Sequence, residues 1–259
     1  MTWGIKHLTA GAIAISLLLS CNGKKENKSV EEEPMNLTLM SYNVHNGKGL
    51  DTITDYNRIG EFLKENNPDV VAIQEVDSAT SRSDGRFVLG EIANAAGMKA
   101  YFSPSIDYAG GKYGIGILSK NEPLAVKRYS LPGSEETRSV IVAEFPAYVF
   151  ACTHLSLTEA DRDSSAIILK TLASEYEKPF FIAGDFNAEP ESNFIKVFSE
   201  NFTPLSGTTT PTFPANEPEI VIDYIMSFNN ADVEVVEVVV PEEKQMSDHR
   251  PVKAKIRIE

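Results

Sequence analysis

The chain has 259 residues, 42% of them apolar and 24% charged, with a net charge of −13 and two cysteines. Those fractions are globular, and the length suffices for one sizeable domain with a true core. The acidic balance, with no basic run, weighs against a protein that grips polyanions by neutralising their phosphates.

The N-terminus differs from the rest. Lys6 and His7 precede an apolar stretch from Leu8 to Leu19 that ends at Ser20-Cys21. A basic start, an apolar middle too short to span a bilayer comfortably and small residues after it predict a secretory signal over residues 1–20. Leu18-Leu19-Ser20-Cys21 resembles a bacterial lipobox, in which the cysteine is lipidated and opens the mature chain. Residues 21–35 are polar and charged, including Lys24-Lys25 and Glu31-Glu32-Glu33, and read as a flexible tether. This arrangement predicts a lipid-anchored protein of the bacterial cell envelope, facing the periplasm or the cell surface. With Cys21 acylated, Cys152 has no disulfide partner, and its place after Val149-Phe150-Ala151 predicts a buried, inert thiol.

Beyond residue 35 the periodicities predict alternating strands and helices in one domain over residues 36–259. Leu37–Asn43 alternates as a strand. Asp55–Asn66 has helical spacing and stops before Pro68, and Val70–Ile73 is a continuous apolar run that leads to Glu75. Phe87–Ala96 reads as a helix closed by Gly97. Four strands follow, at Tyr113–Leu118, Leu124–Tyr129, Val140–Phe145 and Tyr148–Cys152, with Pro132-Gly133 and Pro146-Ala147 as punctuation. Tyr108-Ala109-Gly110-Gly111-Lys112 reads as a flexible rim without nucleotide-loop spacing. Thr158–Glu175 is predicted helical with Thr158 as N-cap, Pro179–Ala183 a buried strand and Glu191–Phe198 a short helix. A Thr- and Pro-rich loop over Pro204–Pro218 precedes three closing strands, Ile220–Met226, Val233–Val240 and Val252–Ile258. Strand-to-strand runs among strand-helix alternations argue for mixed sheets.

Six segments place Asn, Asp, Glu or His just after an apolar run. They are Ser41-Tyr42-Asn43-Val44-His45, Gln74-Glu75-Val76, Thr153-His154-Leu155, Gly184-Asp185-Phe186-Asn187, Ile222-Asp223-Tyr224 and Ser247-Asp248-His249-Arg250-Pro251. Buried strands that end in hard oxygen ligands or imidazoles build one site from distant parts, as metal-assisted hydrolysis requires. With Tyr113-Gly114-Ile115-Gly116, these blocks in this order resemble the endonuclease/exonuclease/phosphatase superfamily, which includes deoxyribonuclease I and neutral sphingomyelinases. The resemblance runs from about Leu37 to Ile258. It implies a four-layer α/β/β/α sandwich of two mixed sheets and phosphoester chemistry, but no particular substrate.

The resemblance also implies roles. A hard divalent ion, Mg²⁺ or Mn²⁺, offsets phosphate charge and stabilises the leaving oxygen, and Mg²⁺ prefers one or two carboxylates plus waters. Glu75 and Asp248 are the expected carboxylate ligands, and Asn43 either adds an amide oxygen or orients Glu75. His249 takes a proton from the attacking water or, protonated, stabilises the phosphorane, with its tautomer fixed by Asp223. Asp185 aligns the water or binds a second metal, and Asn187 donates to a phosphate oxygen, with a simple Asx-turn as the bland alternative. His154 is expected to protonate the leaving group, as in the deoxyribonuclease I and sphingomyelinase-like branches. Tyr113 and Arg138 are candidate phosphate contacts, against core packing and a surface salt bridge. Lys48, Arg82 and Arg86 are weaker candidates for substrate contact, and Phe213 either stacks on substrate or anchors its loop.

The expected activity is metal-dependent hydrolysis of a phosphoester, a phosphodiester of a lipid head group or small molecule in preference to nucleic acid, by a monomer. A secreted nuclease and a non-catalytic phosphate-ligand binder are the rival readings.

Overall fold

A computed structural model describes residues 34–259, which belong to one compact unit. The predicted signal over 1–20, Cys21 and nearly all of the predicted tether lie outside the described residues. The elements follow as β1 (Met35–Asn43), α1 (Tyr56–Asn66), β2 (Val70–Ser78), α2 (Val88–Ala96), β3 (Lys99–Tyr108), β4 (Gly111–Ser119), β5 (Ala125–Leu131), β6 (Arg138–Glu144) and β7 (Val149–His154). Then come α3 (Glu159–Ser174), β8 (Phe180–Asp185), α4 (Asn193–Phe198), β9 (Phe202–Pro204), β10 (Asp223–Phe228), β11 (Val233–Val239) and β12 (Val252–Ile258).

The strands form two six-stranded sheets, ordered β11-β12-β1-β2-β4-β3 and β5-β6-β7-β8-β10-β9. Each contains one parallel pair, β1–β2 and β7–β8, and the other pairings are antiparallel. The parallel pairs are those whose strands are joined through a helix, α1 and α3, since a parallel connection needs a crossover.

Three apolar clusters define the layers. Leu39, Val70, Ala72 and Ile117 of the first sheet meet Ile141, Phe150, Phe181 and Ile225 of the second. Val71, Ile73 and Leu118 pack instead against Ile59 and Leu63 of α1 and Leu89 and Ile92 of α2. Val142, Ile182 and Tyr224 pack against Leu169 of α3 and Phe194 and Phe198 of α4. The result is the expected four-layer sandwich. Because β2 and β8 are covered on both faces, they read as continuous apolar runs rather than alternating ones. Phe150 and Phe181 are fully buried between the sheets, and burial of each such side chain contributes about 1.5–3 kcal/mol. Cys152 lies in the same layer as a free, fully buried thiol, and burial pushes its pKa up to about 12.

Local chemistry explains where the elements begin and end. Asp55 caps α1 through its carboxylate, which accepts from the Asn57 and Arg58 amides at 2.9 and 3.1 Å. Asn67 closes it in the left-handed region at φ 50°, just before Pro68. Thr158 occupies the N-cap of α3, but its side chain makes no capping bond.

Two strands escape the sequence reading. β3 contains Pro104, which would break a central ladder, but β3 is an edge strand with a register shift between Pro104 and Ile106. β9 has three residues and lies at the edge of the other sheet. The predicted rim at 108–112 is a tight hairpin turn, in which Tyr108 pairs with Gly111 and both Ala109 and Gly110 have positive φ. β10 starts at Asp223 rather than Ile220, because Ile220 bridges to Phe213 in the preceding loop.

Candidate active site

Side-chain parity carries the site. On β8, Phe181 and Ala183 point between the sheets, and two residues later the same face carries Asp185. The same rule takes Phe150 and Cys152 to His154 on β7, Ile225 back to Asp223 on β10, and Leu37 and Leu39 to Asn43 on β1. The inner core is therefore capped at one end by a polar layer. Register then aligns it. His154 pairs with Asp185 across the parallel β7–β8 ladder, and Asp223 pairs with Asp185 across the antiparallel β8–β10 ladder. Asp223 thus opens its strand instead of ending it, yet reaches the same edge because β10 runs the other way.

Glu75 arrives by a different route. Continued alternation along β2 would turn it, with Val71 and Ile73, toward the helices. A bulge between Ile73 and Val76, with Glu75 at φ 60°, turns it back. Its Oε1 accepts from Asn43 Nδ2 at 3.0 Å. The strand continues to Ser78, so a bulge rather than a strand end presents this carboxylate.

Asp185 is the hub and is almost wholly buried. Its Oδ2 accepts from Asn43 Nδ2 at 3.1 Å and lies 3.5 Å from His154 Nε2 and 3.7 Å from His249 Nε2. Its Oδ1 accepts from the Asn187 backbone amide at 2.9 Å. Asn187, at φ 48°, spends its side-chain amide on the Leu155 carbonyl at 3.0 Å, so the Asx-turn is present. His249 Nδ1 lies 2.9 Å from Asp223 Oδ2. Thr212 Oγ1 donates to the same oxygen at 2.7 Å, and Asp223 Oδ1 is buried with no partner.

Burial opposes charge on His249, but the carboxylates of Asp223 and Asp185 outweigh it and raise its pKa to about 10. Burial pushes His154 down to about 4 against the pull of Asp185, so it is neutral near pH 7. Burial raises the carboxyl of Asp185, with the two imidazoles opposing. These shifts predict a pH response. The folded pKa of His249 lies above its ordinary 6.5, so its stabilisation is complete below that value and is lost as pH rises through about 10. The melting temperature of the metal-free protein should fall across that window, and Asp223→Asn should flatten the fall. A slope unchanged by Asp223→Asn would refute the coupling.

Asn43, Glu75, His154, Asp185, Asn187, Asp223 and His249 are thus linked by direct contacts. Tyr113 is half-buried beside Glu75, and burial first and the Glu75 carboxylate second raise its phenol pKa. Asp248 stands apart from this network. Its Oδ1 lies 3.3 Å from Ser247 Oγ and 3.8 Å from His45 Nδ1. Arg138 is buried and committed to Glu135 at 2.9 Å and Glu136 at 2.8 Å. Arg82 is held by Asp77 at 2.6 Å and lies over the rings of Tyr108 and Tyr113, while Arg86 pairs with Glu91. Phe213 packs its ring 4.8 Å from that of His249. Among the described residues, Asp185, Asp223 and His249 form a metal-capable group of carboxylates and imidazole whose ligand atoms lie within 4.8 Å of one another.

Two supporting residues went unassigned in the sequence. Thr212 sits in the Thr-rich loop ahead of Asp223, and that proximity was the only signal. Ser247 Oγ donates to the Asn43 carbonyl at 2.7 Å and accepts from the His249 amide at 3.3 Å, tying the last loop to β1.

The chain belongs to the endonuclease/exonuclease/phosphatase family, whose model matches residues 40–249, a span that contains every site residue above. It is 27% identical over 165 residues to the protein YbhP of Escherichia coli K12, covering 58% of this chain and 65% of that protein. The chain therefore spans just under two thirds of the curated relatives it matches. Among solved structures, a family member from Bacteroides thetaiotaomicron superposes with a TM-score of 0.72 at 18% identity, covering 88% of this chain and 99% of that one. The mannosyl-6-phosphatase of Bacteroides thetaiotaomicron gives 0.70 at 18% identity, covering 85% and 99%. At those identities the likeness shows the fold.

Proposed function

We propose that this chain is a divalent-metal-dependent phosphoester hydrolase acting on a small phosphorylated molecule or lipid head group, a diester in preference. The observation that carries this reading is the convergence of Asp223, His249, Asp185, His154, Asn43 and Glu75 on one end of the inter-sheet core. Family membership and the name of the similar mannosyl-6-phosphatase support phosphoester chemistry on a small substrate.

The donor set fits a hard cation. Glu75 is only partly buried and bonds Asn43 through one oxygen, and Asp248 remains partly exposed, so both carboxylates keep oxygens for an ion. Asn43 Nδ2 donates to Glu75 and so orients it, while Oδ1 accepts from the His45 amide at 3.1 Å and keeps a second lone pair for an ion. Glu75 would hold the ion, assisted by Asp248. When bound, the ion would offset phosphate charge and stabilise the leaving oxygen.

The residues divide the remaining work. Asp223 fixes the His249 ring through Nδ1 and leaves Nε2 facing the cleft beside Asp185. As a buried cation, His249 stabilises charge that develops on phosphorus and passes its Nε2 proton to the departing oxygen, to be reloaded from Asp185. Asp185, facing both imidazoles, orients the attacking water for in-line displacement and receives its proton. Burial disfavours the charged form of His154, which faces Asp185 at 3.5 Å and positions it.

The nuclease reading loses further ground here. Arg82, Arg86 and Arg138, the arginines the sequence offers for phosphate contact, are each paired with carboxylates of the protein, which weakens their use on a phosphate backbone. Chelator should abolish hydrolysis of a chromogenic phosphodiester, and Mg²⁺ or Mn²⁺ should restore it. Undiminished turnover in chelator would remove the metal from this reading.

A further inference from the structure

A cavity of about 660 Å³ opens beside the His249 ring, between the segments that follow β7 and β8 and the loop that precedes β10. Its lining combines the apolar side chains of Leu157, Phe213 and Ile220 with the charged ones of Arg162, Glu189 and Glu191. Arg162 is the unusual member. It lies on the first turn of α3 and is only 8% exposed. Its Nη1 donates to the Ser156 and Leu157 carbonyls at 2.9 and 2.7 Å, its Nε is shielded without a partner, as in Arg138, and among the described residues its Nη2 makes no hydrogen bond. Among the described residues no carboxylate lies within ion-pair distance of it, whereas the equally buried Arg138 has two. A guanidinium buried without a counter-charge is costly unless something else completes its hydrogen bonding.

The lining selects what that something is. An anion at Arg162 would meet Glu189 and Glu191 across the same space. An ammonium group drawn to the glutamates would meet Arg162. A hydroxyl accepts from a guanidinium and donates to a carboxylate, so it suits both. The apolar side chains of the lining would meet the C–H surface between such hydroxyls. We propose that this cavity is the subsite for the organic part of the substrate, and that it takes a polyhydroxylated group, a sugar or polyol that bears the phosphate, with Arg162 as the selecting residue. This rests on the phosphoester reading above and names its substrate class.

The test is calorimetric titration with hexose 6-phosphate and with phenyl phosphate, which share the phosphate and differ in hydroxyls, in chelator so that binding is read without turnover. The hexose ester should bind at least about tenfold more tightly, the scale of one or two hydrogen bonds to charged groups. Arg162→Lys keeps the charge but loses the fork, and should erase most of that margin. Because Arg162 also ties down the 156–157 carbonyls, the double variant Glu189→Gln/Glu191→Gln is the second arm. Both glutamates are exposed and, among the described residues, their side chains make no hydrogen bond or ion pair in the fold. It too should shrink the margin. Equal affinity for the two esters in the wild type, or a margin that survives both variants, would overturn the proposal. The hydrolase reading fails separately, by absence of turnover on any phosphoester once metal is restored.

Discussion

His249→Ala should lower kcat at saturating metal by at least ~10²-fold, the lower end of what a positioned acid or base contributes. Three features set that expectation. The ring is held by the 2.9 Å contact to Asp223, which is itself braced by Thr212 at 2.7 Å. Its Nε2 lies 3.7 Å from Asp185 Oδ2, too long for a strong hydrogen bond, and 3.4 Å from Asn43 Nδ2. Its charge is maintained by two buried carboxylates. His249→Gln separates chemistry from packing, because glutamine fills much of the same space and can still meet Asp223 but cannot carry the charge. Both variants should lose kcat with a smaller change in KM. A glutamine variant with near-wild-type kcat would reduce His249 to a structural residue.

Glu75→Gln is the second large effect. We expect kcat/KM to fall by ~10²-fold or more and the metal concentration needed for half-maximal activity to rise at least about tenfold, within the range for disturbed metal sites. The carboxylate makes one internal hydrogen bond, to Asn43, which a glutamine carbonyl can replace, so the fold should survive with a melting temperature within a few degrees of wild type. Backbone strain sharpens the test. A non-glycine residue at φ 60° costs of order 1–3 kcal/mol. Glu75→Gly should therefore relieve strain while destroying activity, a combination that a purely structural glutamate would not produce. Wild-type metal dependence in Glu75→Gln would move the ion elsewhere, toward Asp185, Asp223 and His249.

Much of this is legible in the sequence. Buried strands announce themselves as unbroken apolar runs, so β2 and β8 stood out, and parity then carries the reader to Asn43, His154 and Asp185. The layered architecture and the family followed from the order of the polar blocks. Other features left no trace in the string of residues. The bulge that redirects Glu75 depends on the β2–β4 register, which is a property of pairing rather than of either strand. β3 was hidden by Pro104, acceptable only because that strand happens to lie at an edge. The partners of Arg138 sit two and three residues upstream, yet a salt bridge and a phosphate clamp look alike until burial is known. Thr212 is eleven residues from Asp223 and meets it only once the intervening loop has folded back.

The ladder pairs that set His154 beside Asp185 and Asp185 beside Asp223 have a consequence for how this polypeptide tolerates change in length. Inserting or deleting one residue inside β7, β8 or β10 would reverse the faces on one side of the change relative to the other, so that with the apolar part of the strand held in the core one of those three groups would turn toward a helix instead of the cleft. The segments leaving the same rim carry no such constraint. Lineages related to this one are therefore free to lengthen, shorten or rewrite those excursions, and so to exchange one cargo for another, while the reacting centre stays where the weave of the sheet has put it.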